Sequence, residues 1–230
     1  SSVALGAAVT SAPMKLISGQ KTINTTFSGI FETFASGVSR EVMTTVQAGI
    51  TAGATNAEIT RNVMSLVNTR TRAQAETVVR TAANAAGSVA RAEVYKANAD
   101  VLKWEECSAV LDGRVTLTCL SLDSHLYPVG VGPMPPMHYN CRSIRVPVVD
   151  DRFAALREGA TRASYKGPVS AQTTYNSWLK QQPIEFQYSV LGPERAELFR
   201  GGMNVDKFTD DAGKVLTLDQ LRAMEGITLE

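Results

Sequence analysis

The hydrophobic period of the chain changes once, near residue 100, and that change decides what the chain can fold into. From Phe27 apolar residues return at spacings of three and four: Phe27, Ile30, Phe31, Phe34 and Val38, then Val42, Val46 and Ile50. This is the stripe of an amphipathic helix. Gly37 marks a bend, and Gly49 and Gly53 weaken the pattern and end it. Thr55 and Glu58 form a Thr-x-x-Glu capping box for a second helix, whose buried face is Ile59, Val63, Leu66 and Val67. A third helix spans 72–98, with Val78, Val79, Ala82, Ala85, Ala86, Val89 and Ala92 on its apolar face. So many alanines imply close approach to a neighbouring helix. Beyond residue 100 the period is lost. Residues 102–110 read as a strand anchored by Trp104, and Asp112-Gly113 as a turn. Pro128, Pro133, Pro135 and Pro136 exclude regular structure from the loop that follows. Residues 143–149 read as an edge strand, because Pro147 has no N–H for a ladder, and Asp150 closes it. A small irregular β region beside helices makes the fold class α+β.

Three stretches follow from this pattern. Residues 1–24 carry little periodicity and read as an arm or linker ordered by a partner. Residues 25–149 form one domain, and 150–230 a C-terminal helical extension. Helices are expected there over 173–181 and 184–191, then from Pro193 after the stop at Gly192. Gly201-Gly202 ends that helix, Asp211-Ala212-Gly213 turns, and Thr217 with Gln220 caps a last helix through Met224. The 230 residues hold 23 Lys and Arg against 22 Asp and Glu, a net charge of +1. That balance excludes a strongly basic nucleic-acid coat. The apolar run at 3–9 is far short of the ~20 residues that span a bilayer. The first charge is Lys15, so no basic region precedes an apolar one as in a signal peptide. No membrane partner is expected.

Two groups of side chains are candidates for binding. Cys107, Cys119, His138 and Cys141 together offer four soft ligands, and zinc takes three thiolates with one imidazole in a tetrahedral site. His138-x-x-Cys141 is a pair that one turn can present, whereas Cys107 and Cys119 are spaced too widely for the usual partner pair. Buried free thiols account for the same residues. So does a Cys119–Cys141 disulfide, which would contribute about 3 kcal/mol on the chain-entropy model. The second group is basic. Residues 1–100 hold nine Lys and Arg and six Asp and Glu, a difference of 9 − 6 = +3. A solvated helix face explains this; if phosphates are contacted, the candidates are Arg61, Arg70, Arg72 and Arg80.

Enzyme motifs fail one after another. The chain has no Gly-x-Ser-x-Gly elbow, Walker loop, His-Glu-x-x-His or dinucleotide fingerprint. Asp123, His138 and Asn140 could be drawn into a metal-dependent nuclease site, but the set is generic. Asp206, Asp210 and Asp211 near Gly213 lack the ligand alternation and terminal Glu of a calcium loop. No catalytic residue and no obligate cofactor is assigned, and the chain reads as a non-enzyme.

At this point the order of residues becomes familiar. Arg80-Thr81 on a long helix is followed by Trp104, Leu111-Asp112-x-Arg114-x-Thr116, Cys119, Leu122-Asp123 and Tyr127. Then come Pro135-Pro136-x-His138-x-x-Cys141-Arg142. This ordered set resembles the phage Mu F-like minor head proteins, the head morphogenesis family of tailed bacteriophages. Residues 151–230 resemble the tail of some members through Trp178-Leu179-x-x-Gln182-Pro183 and Leu191-Gly192-x-x-Arg195-x-x-Leu198-Phe199. Val115, Thr116 and Ser143 depart from the family pattern, the last two standing where it has cysteines. Those lost thiols favour packing over metal at the loop.

The resemblance implies a structural minor capsid protein at the portal vertex, inside the head and facing packaged DNA. The implied partners are the portal protein, the major capsid protein and phage DNA. The implied location is the virion, with the host cytoplasm during assembly. The alternative is an effector delivered with the DNA, or a metal-dependent nuclease-like enzyme. Association is expected through the helical stripe around Phe31, and Trp104 is expected to be buried, stapling the loop.

Overall fold

A computed structural model describes residues 9, 11–18, 21–67, 70–149, 152–153 and 158–224. These form two compact units. The first draws on 1–16, 23–94 and 134–141, the second on 17–22, 95–133 and 142–230.

Helices build the first unit. The Thr26 side chain accepts from the Gly29 amide at 3.1 Å and caps α1 (Phe27–Phe34). Phe27, Ile30, Phe31 and Phe34 all turn into the core. The stripe around Phe31 is therefore spent inside the unit and is no partner face. It breaks after Phe34 and resumes in α2 (Ser39–Thr51) with Val42 and Val46 buried. Gly49 does more than weaken α2: a Cβ there would lie 2.5 Å from Ile59 Cγ1. Only glycine allows α3 (Asn56–Met64) so close. Thr55 and Glu58 form the capping box, with Thr55 N donating to Glu58 Oε2 at 2.8 Å and Glu58 N to Thr55 Oγ1 at 3.3 Å. Ile59, Val63 and Val67 are buried as expected, while Leu66 lies past the helix end and is exposed. The long α4 (Arg72–Ala97) packs Ala75, Val78, Val79, Ala82 and Ala85 into the same core.

The arm expected over 1–24 is in part a hairpin, β1 (Pro13–Ser18) paired with β2 (Lys21–Thr26). Met14 and Leu16 are buried in the first unit's core. Most of β2 is exposed, so its polar residues give no alternation to read. Residues 1–8 of that arm lie outside the described residues.

Strand β3 (Leu102–Ser108) is the centre of the second unit's sheet, between β4 (Leu126–Pro128) and β5 (Ile144–Val149), both antiparallel to it. Pro147 sits on edge strand β5, as its missing N–H requires. Pro128 is also in an edge strand and so does not exclude structure as expected. The turn at Asp150 lies outside the described residues. Helix α5 (Leu117–Ser121) is capped by Thr116.

A hairpin of β6 (Thr161–Ser164) and β7 (Gly167–Ser170) precedes the remaining helices and was not expected from the sequence. These are α6 (Tyr175–Lys180), α7 (Ile184–Leu191), α8 (Pro193–Arg200) and α9 (Leu218–Met224), with a 3-10 turn at Val205–Phe208. The Gly192 stop, the Pro193 start and the Thr217–Gln220 box stand where the sequence puts them. Their core joins Leu111, Leu120, Tyr175, Trp178, Phe199, Phe208 and Leu221. The fold class is α+β. Among the described residues, no helix is long and apolar enough to cross a membrane.

Candidate functional site

Successive side chains of a strand point to opposite faces, and the register of β4-β3-β5 sorts them without ambiguity. Glu105, opposite Tyr127 and Pro147, shares one face with Cys107 and Arg145. Trp104, opposite Pro128 and Val148, shares the other with Glu106, Leu126, Val146 and Ile144. The packed face is the charged one. Glu105 is 0% exposed and Arg145 1%, whereas Trp104 is 47% and Leu126 55% exposed. Trp104 is therefore not the buried anchor the sequence suggests; Trp178, 6% exposed, fills that role among the helices.

Arg145 is buried with most of its guanidinium engaged. Its Nε donates to Pro133 O at 3.1 Å, and Nη2 donates to Val131 O at 2.8 Å and Pro133 O at 2.9 Å. The guanidinium lies 4.1 Å from the Tyr127 ring centroid, a cation–π contact. Glu105 accepts from the Gly130 amide at 3.0 Å and lies 3.9 Å from Arg145 Nη1. The pair thus holds the turn at 130–133 by its backbone. Burial pushes the Tyr127 hydroxyl up to about 12.

Two further ion pairs use residues of the motif that carries the resemblance. Asp112 takes a two-pronged contact from Arg142, at 2.6 and 2.8 Å, and accepts from the Arg114 amide at 3.0 Å. Burial pulls the Asp112 carboxyl up, but the Arg142 hydrogen bond, the Arg114 amide and both cationic charges outweigh it and leave it below the usual range. Asp123 accepts from the amides of Ala109 (2.8 Å) and Tyr175 (2.6 Å) and from Arg162. Arg162 also donates to Thr173 O and Ala109 O. The Tyr175 hydroxyl donates to Asp112 O at 2.7 Å, joining the two pairs. Burial raises the Tyr175 hydroxyl above its ordinary range. Arg142, Arg145, Arg162 and Glu105 were missed as site residues. For Arg145 the signal is a charge at an inward position of an apolar strand run, Ser-Ile-Arg-Val-Pro-Val-Val; the other three carry no such local pattern.

The expected ligand residues fall in different units. Cys107 on β3 and Cys119 in the first turn of α5 belong to the second, and His138 and Cys141 to the first. All three thiols are buried and free of disulfides, so the Cys119–Cys141 bond is not formed. His138 and Cys141 close one turn, Cys141 N donating to His138 O at 3.2 Å. His138 Nδ1 is 2.8 Å from Tyr139 O. A carbonyl only accepts, so Nδ1 carries a proton in that contact. Metal-ligating histidines are commonly oriented this way. Within the first unit, the His138 imidazole and the Cys141 thiol are donor types that a structural zinc ion takes.

The nuclease set has other employment. Asp123 is an acceptor for two amides and Arg162, and Asn140 donates to Thr77 and Thr81 on α4. Asp210 accepts from the amides of Ala212 and Lys214, a solvated turn and not a calcium loop. Of the arginines considered for phosphate, Arg72 and Arg80 share Glu76 at 3.0 and 3.2 Å. Arg70 lies over the Phe34 ring at 5.7 Å, and Arg61 is exposed in the last turn of α3.

The family model described as phage Mu protein F like protein matches residues 40–145, in agreement with the resemblance read from the sequence. Searches of the curated proteins and of the solved structures return no match.

Proposed function

With residues 40–145 carrying the signature of the phage Mu protein F like family, we propose that the protein is a structural, non-enzymatic head morphogenesis protein of a tailed phage. It docks on the portal protein at the portal vertex, inside the capsid and toward packaged DNA. The family match carries this reading. The employment of Asp123 and Asn140 in structural hydrogen bonds supports it against a nuclease. The surface that would meet the portal protein is the outer face of β4-β3-β5, where Trp104, Leu126 and Ile144 stand exposed. Exposed apolar patches commonly mark such contacts. Contact with the major capsid protein is secondary. Any DNA contact rests on Arg61, Arg70, Arg72 and Arg80 and is weak and salt-sensitive, because Glu76 offsets part of their charge.

A structural zinc ion belongs to the same proposal. The four residues that the sequence brings forward for it are Cys107, Cys119, His138 and Cys141, of which His138 and Cys141 share one turn of the first unit. Bound there, zinc would supply folding free energy and no reaction step.

Coexpression with the portal protein tests the docking. The wild-type chain is expected to copurify with it, and Trp104→Ser to lose the partner while keeping its circular dichroism. Copurification unchanged in Trp104→Ser would remove the sheet face from the reading. Failure of the wild-type chain to associate with portal or capsid would remove the reading itself.

A further inference from the structure

Along an antiparallel strand the backbone N–H and C=O groups of successive residues point alternately toward the neighbouring strand and away from it. One hydrogen bond per pair of strands therefore fixes which residues face outward at each edge. Val129 N donates to Lys103 O and Cys107 N to His125 O, so Tyr127 of β4 bonds β3 and Pro128 faces out. The even-numbered residues of β3 then bond β5, which turns Arg145 and Pro147 outward, and Arg145 O accepts from Tyr95 Oη at 3.3 Å. Ala171 N donates to Ala160 O, so Pro168 faces out on β7. The outer edge of β6 is bonded to Leu111, through Leu111 N to Ala163 O and Tyr165 N to Leu111 O. In the N-terminal hairpin Phe27 N donates to Ala12 O, and the same alternation turns Pro13 and Lys15 outward on β1 and Asn24 and Thr26 outward on β2.

A proline at an outward position offers no N–H to an incoming strand, a common way of closing an edge. Among the described residues, β2 is the strand edge with neither such a proline nor a further segment bonded along it. Its sequence, Lys-Thr-Ile-Asn-Thr-Thr, is rich in strand formers, and its first four residues are exposed. The halves 13–16 and 23–26 of the hairpin both lie in the first unit. Lys15, exposed, stands opposite Asn24 in the register that the Ala12–Phe27 pair sets. These halves hold no Asp or Glu, and the first unit carries seven Lys and Arg against five Asp and Glu, 7 − 5 = +2. A strand bearing carboxylates is attracted there, whereas a second copy of the chain would bring like charges together.

We propose that the outer edge of β2 at residues 23–26 accepts an extended, acidic segment of another protein as an added strand. Main-chain bonds to Asn24 and Thr26 hold the segment, and its carboxylates lie in the field of Lys15. This contact is separate from the sheet face assigned to the portal protein and does not depend on it.

Two capped octapeptides, one alternating threonine with glutamate and one alternating threonine with lysine, test the proposal on the 15N-labelled full chain. The glutamate peptide is expected to shift the Asn24 and Thr26 amide signals saturably and to slow their exchange, and the lysine peptide to bind more weakly by a factor of several. Asn24→Pro removes one outward N–H, leaves the bonds between β1 and β2, and is expected to abolish binding. Should Asn24→Pro disturb the fold, Lys15→Glu decides, because it is expected to reverse the preference between the two peptides. Absence of a saturable shift, equal affinity for both peptides, unchanged affinity in a folded Asn24→Pro, or an unreversed preference in Lys15→Glu overturns the proposal. A concentration-dependent dimer that Asn24→Pro abolishes overturns it as well, by giving the edge to a second copy.

Discussion

Replacing Arg162 by methionine probes the most heavily bonded charge in the second unit. Its side chain is 7% exposed and that of Asp123 1%, so the pair is withdrawn from water. Removing one member of a buried pair costs about 3–5 kcal/mol, because the other charge is left uncompensated. Here the cost falls toward the lower end, since Asp123 keeps the amides of Ala109 and Tyr175. Loss of the bonds to Thr173 O and Ala109 O adds to it. The expected loss is about 3 kcal/mol, or roughly 6–12 °C in Tm for a domain of this size. The chain has two tryptophans, Trp104 and Trp178, both in the second unit. Tryptophan fluorescence during urea or thermal unfolding therefore reports on the unit that is changed. Arg80→Met, on an exposed helix face, serves as control and is expected to stay within about 0.5 kcal/mol. A loss below about 1 kcal/mol for Arg162→Met would show that water replaces the guanidinium, refuting the account of Asp123 as a buried, paired acceptor.

Three further outcomes follow from the same geometry. Trp104→Ala is expected to cost less than about 1 kcal/mol and Trp178→Ala about 3–5 kcal/mol, by chemical denaturation; equal losses would contradict the exposures. Gly49→Ala gains about 1 kcal/mol of helix propensity but places a Cβ against Ile59, and overpacking of about 1–3 kcal/mol wins; a stabilised variant in the same assay would remove the close approach of α2 and α3. Asp112 has a folded-state pKa below its unfolded value, so its contribution is complete above the unfolded value of about 4 and disappears as pH falls through the folded one. Asp112→Asn should accordingly flatten the acid limb of the stability-versus-pH curve, and an unchanged limb would assign the acid sensitivity elsewhere.

The helices of the first unit were legible because each carries its own punctuation. The stripe from Phe27 to Phe34, the Thr55–Glu58 box and the Ala-rich face of α4 are local patterns that tertiary contacts reinforce. The Gly192-Pro193 junction and the Thr217–Gln220 box were legible for the same reason. The hairpins β1–β2 and β6–β7 were not. Their strands are short, and β2 and β6 show few buried positions, so no apolar alternation separates them from loop. Among the candidate ligands, residue type and the His138–Cys141 turn could be read from spacing. The hydrogen bonds of Thr77, Thr81 and Asn84 to residues 140 and 141 could not, because the two segments lie some sixty positions apart.

The sheet of the second unit shows why the inward face was misread. A period of two separates the side chains of β3 into two sets and is silent on which set is buried. Hydrophobicity normally decides, and in β3 it selects Trp104 over Glu105. The choice is reversed because the residues on the Glu105 face bind the backbone of the 130–133 turn, which apolar side chains could not. Arg145 makes three hydrogen bonds, to Val131 O and Pro133 O, and an ion pair with Glu105, and Tyr127 supplies the ring beneath it. The prolines are part of the cause. Pro133 cannot donate, which leaves its carbonyl as the polar group of that turn to be satisfied, and Arg145 satisfies it. Once the loop from 128 to 133 is closed over Arg145, Trp104, Leu126 and Ile144 on the opposite face remain exposed among the described residues. A charged interior and an apolar exterior on one small sheet are therefore two consequences of a single event, the burial of Arg145 beneath a proline-bearing turn. Arg145→Leu would remove the carbonyls' donors without covering them, so its cost is set by the orphaned backbone of 131 and 133 and not by the lost charge.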